Sequence, residues 1–482
     1  MGTAKRIYKN TVYLGVAEVI SKILQFVVML YAANLLSEEH FGKFSFALSL
    51  SLIAVILADL GINTLLVREI SRSKGLVGKY FANAAAIKIV LSIAAYFVII
   101  AGLNLMNYPN DTRQIVYVIW AFTILSTFTE LFYSVFRAFE MMFYDAFLKV
   151  LRMILLTASS LYVLFNGYGV LAFSFTFVLV EFIINIVALC IVLKMFVRLK
   201  TRKEFKSLID FSLCKSMFKK ALPFGLAFVF GNIYFFIGSV MLSKIKGDID
   251  VAVYSVAYNI ALAILFIPTV YTNAIYPVLS RYYKDSKNEL KILYEKSFKY
   301  LYIVGLPISV GLYFLSARII FFFYGEKYFG SVIALEIISL YLVIKFINFL
   351  LGTVLSSIDQ QNKRMVGQGF TALVNIFLNL LLIPKIGYVG AAWSTLITEI
   401  FLFMIYYLYV SKSMYFYNFI NLLIKPAIAV IVMSFFIKFL DFGLALTVLF
   451  SALIYFASLW ILKAFDVQDY DIVKRIFKNE KA

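Results

Sequence analysis

The sequence predicts an all-α polytopic membrane protein with about 14 transmembrane helices. Three observations carry that expectation. First, 63% of the 482 residues are apolar, only 15% are charged, and the mean hydropathy is +0.92. A soluble domain has about 25% charged residues, so this chain lacks the polar cover of a water-exposed globule. Second, its apolar residues come in runs of the roughly 20 residues that cross a bilayer as a helix. Third, lysine and arginine crowd one side of those runs, as membrane insertion requires.

The runs are 11–36, 44–67, 80–103, 114–136, 146–165, 170–196, 221–243, 251–279, 299–317, 332–357, 365–383, 388–410, 418–438 and 442–462. The first follows Lys5, Arg6 and Lys9 and carries Glu18 and Lys22. A signal-peptide core is shorter and uncharged, so this run reads as an uncleaved first span. Turn residues separate the closest neighbours: Asn166-Gly167-Tyr168-Gly169, Pro384-Lys385-Ile386-Gly387 and Asp441-Phe442-Gly443. Pro223, Pro268, Pro277 and Pro307 lie in or near later spans, where proline bends a helix by freeing a carbonyl. Packing kinks and hinges for transport are both open readings of them.

With the N-terminus in the cytoplasm, 34 of the 45 Lys and Arg residues fall on the cytoplasmic side, eight outside and three within spans. This bias predicts cytoplasmic N- and C-termini, an even span count and a multi-pass protein of the cell membrane. It also accounts for the net charge of +19 without a nucleic-acid partner. The single histidine, His40, argues against metal centres built on several imidazoles. Cys190 and Cys214 have neither metal-ligand nor redox spacing and read as incidental thiols. No cofactor is expected.

The chain repeats itself. A shift of 210 residues brings Gly15, Ala17 and Val19 onto Gly225, Ala227 and Val229, and Ser45, Ala47 and Asn63 onto Ser255, Ala257 and Asn273. A shift of 220 brings Gly167-Tyr168 onto Gly387-Tyr388, Ala172 onto Ala392 and Ser174 onto Ser394. The expected organisation is therefore an N-terminal six-helix lobe (1–197), a basic linker (198–220), a second six-helix lobe (221–411), two extra helices (412–465) and a tail (466–482). Parallel repeats about an axis along the membrane normal are a secondary-transporter design, with a substrate path between the lobes.

Nine ionisable residues stand out within the spans: Glu18, Lys22, Asp59, Lys88, Glu130, Glu181, Glu336, Lys345 and Glu399. Each costs about 2.5–3.5 kcal/mol at a helix centre, so they should face a cavity or one another. Glu18 and Lys22 share a helix face, extended by Gln25 and Met29. Asp59 and Asn63 share another, as do Lys88 and Ser92. Thr123, Thr127, Glu130, Ser134 and Arg137 follow helical spacing, and so do Thr371, Asn375 and Asn379. Two readings stand side by side. In one, Glu18–Lys22, and Lys88 with Asp59 or Glu130, are buried pairs that hold helices in register. In the other, Lys22, Lys88, Lys345 and Arg68, with Gln25 and Asn375, bind an anionic headgroup. Glu18, Asp59, Glu130, Glu181 and Glu399 then balance the lysines or carry a coupling ion, H+ or Na+. Glu336 sits near the outer end of its span, within reach of water. Tyr254, Tyr258 and Tyr271 suit packing or sugar stacking.

Two stretches resemble a known family: Leu36-Ser37-Glu38-Glu39-His40-Phe41-Gly42-Lys43-Phe44-Ser45-Phe46-Ala47, and Ala58-Asp59-Leu60-Gly61-Ile62-Asn63-Thr64-Leu65-Leu66-Val67-Arg68-Glu69-Ile70. Both are similar to the first hairpin of polysaccharide transporters. These form the O-antigen-flippase-like branch of the multidrug/oligosaccharidyl-lipid/polysaccharide (MOP) flippase superfamily. The resemblance implies a V-shaped, MATE-like fold. It also implies transfer of a polyprenyl- or dolichyl-diphosphate-linked oligosaccharide from the cytoplasmic to the outer leaflet. The partners implied are this lipid-linked substrate, membrane lipids, and glycosyltransferases or a polymerase of the same pathway. A cation-coupled multidrug exporter of the same superfamily is the alternative. A membrane glycosyltransferase or polymerase fits less well, because the longest outer loops are short.

Overall fold

The computed structural model describes residues 3–195, 209–414, 420–439, 442–465 and 469, without the side chains of 3–12, 222–232, 420 and 421. Much of the basic linker and nearly all of the C-terminal tail, with Lys474-Arg475-Ile476-Phe477-Lys478 and Asp441, lie outside the described residues. Among the described residues the regular structure is helical throughout.

In chain order the helices are α1 (Thr3–Leu35), α2 (Glu38–Asp59), α3 (Ile62–Arg72), α4 (Val77–Leu105), α5 (Asn110–Ala138), α6 (Met142–Phe165) and α7 (Gly169–Met195). After the linker come α8 (Phe211–Lys246), α9 (Asp248–Ile264), α10 (Phe266–Asp285), α11 (Lys287–Tyr324), α12 (Ser331–Ser357), α13 (Gln361–Ser413), α14 (Ile420–Phe439) and α15 (Leu444–Ile461). The described parts of the expected runs fall on these helices, and among the described residues twelve helical stretches are long and apolar enough to cross a membrane. The 53-residue α13 carries two runs. It is kinked at Ile386 (φ −130°) and Gly387 (φ +55°), within the Pro384–Gly387 turn that separates spans 11 and 12 in the sequence. Gly167 (φ +71°) and Gly169 (φ +80°) form the other glycine turn.

Local chemistry sets several ends. Ser37 accepts from the His40 amide at 3.2 Å to cap α2, whose first turn carries Glu38 and Glu39. Asp210 caps α8 through the Leu213 amide at 3.2 Å. Ser286 caps α11 through the Glu289 amide.

Two expected single spans are broken. Run 44–67 divides at Leu60 (φ +41°) and Gly61 (φ +81°), both left-handed. Glycine takes that conformation without cost, and here it ends α2 and restarts the chain as α3. Run 251–279 divides at Leu265. Pro268 has no amide hydrogen to offer the Ile264 carbonyl one turn back, and its ring crowds that carbonyl.

The chain forms two compact units, residues 1–266 with 362–398, and residues 267–361 with 399–482. In the first, α1 packs on α6, α5 on α7, and α2 against α4, α5, α8 and α9. Its core around α3, α4 and α5 includes Leu65, Leu66, Phe81, Leu131 and Phe132. Where α2 meets the start of α9, a side chain on Gly42 would overlap the Asp248 carbonyl, so this crossing requires glycine. In the second unit, α11 packs on α12, α14 and α15, and α14 on α15.

Candidate functional site

The candidate site of the first unit is built on the α2–α3 break. Lys88 on α4 has no exposed side-chain surface; its Nζ lies 2.5 Å from Asp59 Oδ1 and donates to Asn63 Oδ1 at 3.1 Å. Asp59 is the last residue of α2 and Asn63 lies in the first turn of α3. The two polar groups therefore reach one ammonium across a turn, rather than along the continuous helix face that their spacing suggests. The pair is half open: the Asp59 side chain is 26% exposed while Lys88 is sealed. A carboxylate at membrane depth does not face lipid, so its open side marks polar space. Ser92, one turn on from Lys88, is buried, and its hydroxyl has no partner among the described residues.

Glu130 does not bond Lys88, although its charge contributes to the field there. It accepts from Arg137 Nη2 at 3.2 Å. The same guanidinium bonds Asp145 through Nε at 2.7 Å, and Lys149 stands 3.1 Å from Asp145. Glu181 is 1% exposed and pairs with Arg152 at 3.4 Å. It also accepts from the Thr129 hydroxyl at 2.5 Å, and Asn185 Nδ2 donates to Thr129 Oγ1 at 2.9 Å. Sequence reasoning missed Arg152. The signal was present: a carboxylate in the middle of span 6 demands a cation, and Arg152 lies on the adjacent span of the same hairpin.

In the second unit Lys345 on α12 lies 2.5 Å from Glu399 Oε1, and Asn348 Nδ2 donates to Glu399 Oε2 at 2.6 Å and to its carbonyl at 3.1 Å. This pair is closed on both sides, with side-chain exposures of 7% and 1%. Asn375, in the first unit, donates to Thr398 Oγ1 at 3.2 Å and accepts from Asn379 at 2.8 Å.

Other candidates stand apart. Glu18 and Lys22 do not form the ion pair that their spacing predicts; the Lys22 ammonium turns instead to Gln25 Oε1 at 3.4 Å. Arg68 pairs with its neighbour Glu69 at 2.8 Å. Glu336 accepts from Ser316 at 3.2 Å. The three tyrosines are used in packing: Tyr254 and Tyr258 stack at 5.5 Å, the Tyr254 hydroxyl lies 3.1 Å from Thr395 Oγ1, and Tyr271 donates to Ser297 at 3.0 Å.

One end of the first unit is tied together by polar contacts. Lys43 bridges Glu39 and Asp111 at 2.5 Å each, and Lys244 Nζ donates to the Met106 carbonyl at 2.6 Å. Tyr108 donates to Ser243, which donates to Asp248. Burial pushes the Tyr108 phenol up to about 12. At the opposite end of α4, Lys79 lies 3.0 Å from Asp210 and holds that carboxyl below the usual carboxylate range. Among the described residues no group of three or more His, Cys, Asp or Glu side chains is placed to hold a metal ion.

The chain as a whole is similar to known proteins. The sequence model described as polysaccharide biosynthesis protein matches residues 7–283, and the one described as MatE matches residues 223–381. The capsular polysaccharide biosynthesis protein CapF of Staphylococcus aureus is 22% identical over 418 residues, covering 84% of this chain and all of the relative. Among solved structures, the lipid II flippase MurJ in an inward closed conformation superposes with a TM-score of 0.77 at 17% identity, covering 94% of this chain and 98% of MurJ. An inward-facing multidrug resistance MATE family transporter of the MOP superfamily gives 0.61 at 15% identity, covering 81% and 95%. At these identities the structural likeness is one of fold, and the fold is that of the MOP superfamily.

Proposed function

Since the chain belongs to the polysaccharide biosynthesis protein family, we propose that it flips a polyprenyl- or dolichyl-diphosphate-linked oligosaccharide from the cytoplasmic to the outer leaflet by alternating access. The observation that carries this reading is the half-open Lys88–Asp59–Asn63 cluster, because it holds a cation at membrane depth behind a carboxylate that polar space can reach. A diphosphate offers Lys88 the same anionic oxygens that Asp59 now supplies. Lysine binds phosphate as a point charge and needs no planar partner. When the headgroup displaces Asp59, the freed carboxylate carries the compensating charge or takes a proton. Lys22, Arg68, Gln25 and Asn375 are the further polar contacts in this reading, while Lys345 and Glu399 keep their helices in register.

The protein acts as a transporter and not as an enzyme in this reading. It sits in the cell membrane with both termini in the cytoplasm, and its substrate comes from membrane glycosyltransferases and passes on to a polymerase or transferase. The MatE match over 223–381 supports a second reading, a cation-coupled multidrug exporter. The buried Lys88 opposes it, since an ammonium repels a cationic drug.

Extraction of lipid-linked glycans from cells that lack the protein tests the choice. Accumulation of a completed diphosphate-linked oligosaccharide in the inner leaflet is the expected result. Normal surface glycans with altered drug accumulation would favour the exporter.

A further inference from the structure

Helix α11 is too long for one bilayer crossing. Its 38 residues extend about 57 Å at 1.5 Å per residue, against about 30 Å of hydrocarbon. Its polarity divides it. Lys287, Glu289, Lys291, Glu295, Lys296 and Lys299 crowd its start, whereas Arg318 is the only charged residue from Leu301 to Phe323. Lys299 and Tyr300 therefore stand where the helix passes from the headgroups into hydrocarbon, the level at which tyrosine and lysine concentrate. In the orientation given by the lysine and arginine distribution, this is the cytoplasmic surface.

At this level three donors converge on one carboxylate from beyond the end of α15. Lys296 Nζ lies 2.9 Å from Asp469 Oδ1, the Tyr300 hydroxyl donates to the same oxygen at 2.7 Å, and Lys299 Nζ bonds Oδ2. Residues 299 and 300 lie three and four positions after 296, so each is a neighbour of Lys296 one helical turn on. The cluster is largely withdrawn from water: Asp469 is 4% exposed, and the two lysine side chains 12% and 9%. The Lys299 ammonium also stands 5.9 Å from the centre of the Phe465 ring.

We propose that Lys296, Lys299 and Tyr300 form a phosphate site at the headgroup level of α11, occupied in this structure by the Asp469 carboxylate in place of a phosphate. Two ammoniums and a hydroxyl suit the several anionic oxygens of a phosphate group, which accepts strong charge-assisted hydrogen bonds. Anionic lipid headgroups lie at this depth, and basic residues near the membrane surface attract them. A phosphate arriving there competes with Asp469 and releases its carboxylate from α11. The second unit thereby reads the phosphate content of its surroundings. This inference does not depend on the flippase reading, because binding is measured without transport.

Native mass spectrometry of the full-length protein with phosphatidylglycerol, phosphatidylcholine or inorganic phosphate tests it. Asp469→Asn should bind phosphatidylglycerol about tenfold more tightly than the unmodified protein, the gain from removing a competitor tethered at roughly millimolar effective concentration. Lys296→Gln/Lys299→Gln should lose that binding. Glu326→Gln, which changes net charge equally at the other end of α11, should shift it less than twofold. An equal gain from inorganic phosphate would identify the ligand as free phosphate, and a gain confined to phosphatidylglycerol would identify it as a lipid headgroup; either supports the site. Equal affinity of Asp469→Asn and the unmodified protein, or an equal shift from Glu326→Gln, would overturn it. Should the variants not fold, hydrogen exchange on the unmodified protein decides: the peptide containing Asp469 should exchange faster with phosphatidylglycerol vesicles than with phosphatidylcholine vesicles, and no difference would reject the proposal.

Discussion

Two lysine–carboxylate pairs within the spans, one in each unit, have the same contact distance and different surroundings. Lys88–Asp59 and Lys345–Glu399 both close to 2.5 Å. The first is completed by Asn63 across a helix break, and its acid is 26% exposed. The second is completed by Asn348 from the turn after Lys345 on α12, and neither partner is more than 7% exposed. Lys345–Glu399 is sealed within its span, away from the headgroups, and in the proposed reading it holds two helices. A pair whose acid meets polar space can exchange that acid for another anion. Charge within a membrane span is thus a weak guide to function until the exposure of each partner is known.

This contrast sets the order of expected effects. Removing one partner of the sealed pair, as in Glu399→Ala, should be the most damaging change to folding, with a loss of about 3–5 kcal/mol because it takes away the carboxylate that bonds the buried Lys345 ammonium. Thermal unfolding in detergent measures it. Replacing both partners with apolar groups of similar volume, Lys345→Met/Glu399→Leu, should restore stability to that of the unmodified protein or above it, and should leave glycan export intact. Lys88→Met should abolish export while costing less stability than Glu399→Ala, because the stranded Asp59 remains in reach of water. Gly42→Ala, at the α2–α9 crossing, should cost about 1–3 kcal/mol through overlap with the Asp248 carbonyl. Asn63→Ala should be mildest, about 1 kcal/mol for one hydrogen bond to a Lys88 that keeps its carboxylate.

Much of the fold is legible in the sequence, because bilayer thickness imposes a length on every apolar run and lysine and arginine mark the side on which each run ends. The splits at Gly167–Gly169 and Ile386–Gly387 were legible from glycine and proline. The break at Leu60-Gly61 was not, since apolar composition continues through it and a left-handed turn leaves no trace in hydropathy. Partners within the site were legible only in part. Lys88 with Asp59 was one of the expected pairings, and the structure selects it over Glu130. Glu18 and Lys22 have the spacing of a pair, but spacing does not fix side-chain direction, and Lys22 turns to Gln25. Arg152 was missed because its partner Glu181 lies on another helix, and only the packing of α6 on α7 brings them together. Glu181 and Glu399 each come out buried beside a cation and an asparagine, Asn185 or Asn348.

The central claim is that the half-open pair contacts the substrate while the sealed pair does not. It is tested most directly by measuring lipid-linked glycan in cells whose only copy of the protein carries Lys88→Met or Lys345→Met/Glu399→Leu, at matched membrane abundance. The account predicts that cells with Lys88→Met accumulate the inner-leaflet glycan as fully as cells without the protein, while cells with the double variant do not. Clearance of the glycan by Lys88→Met, or accumulation in the double variant alone, would contradict it.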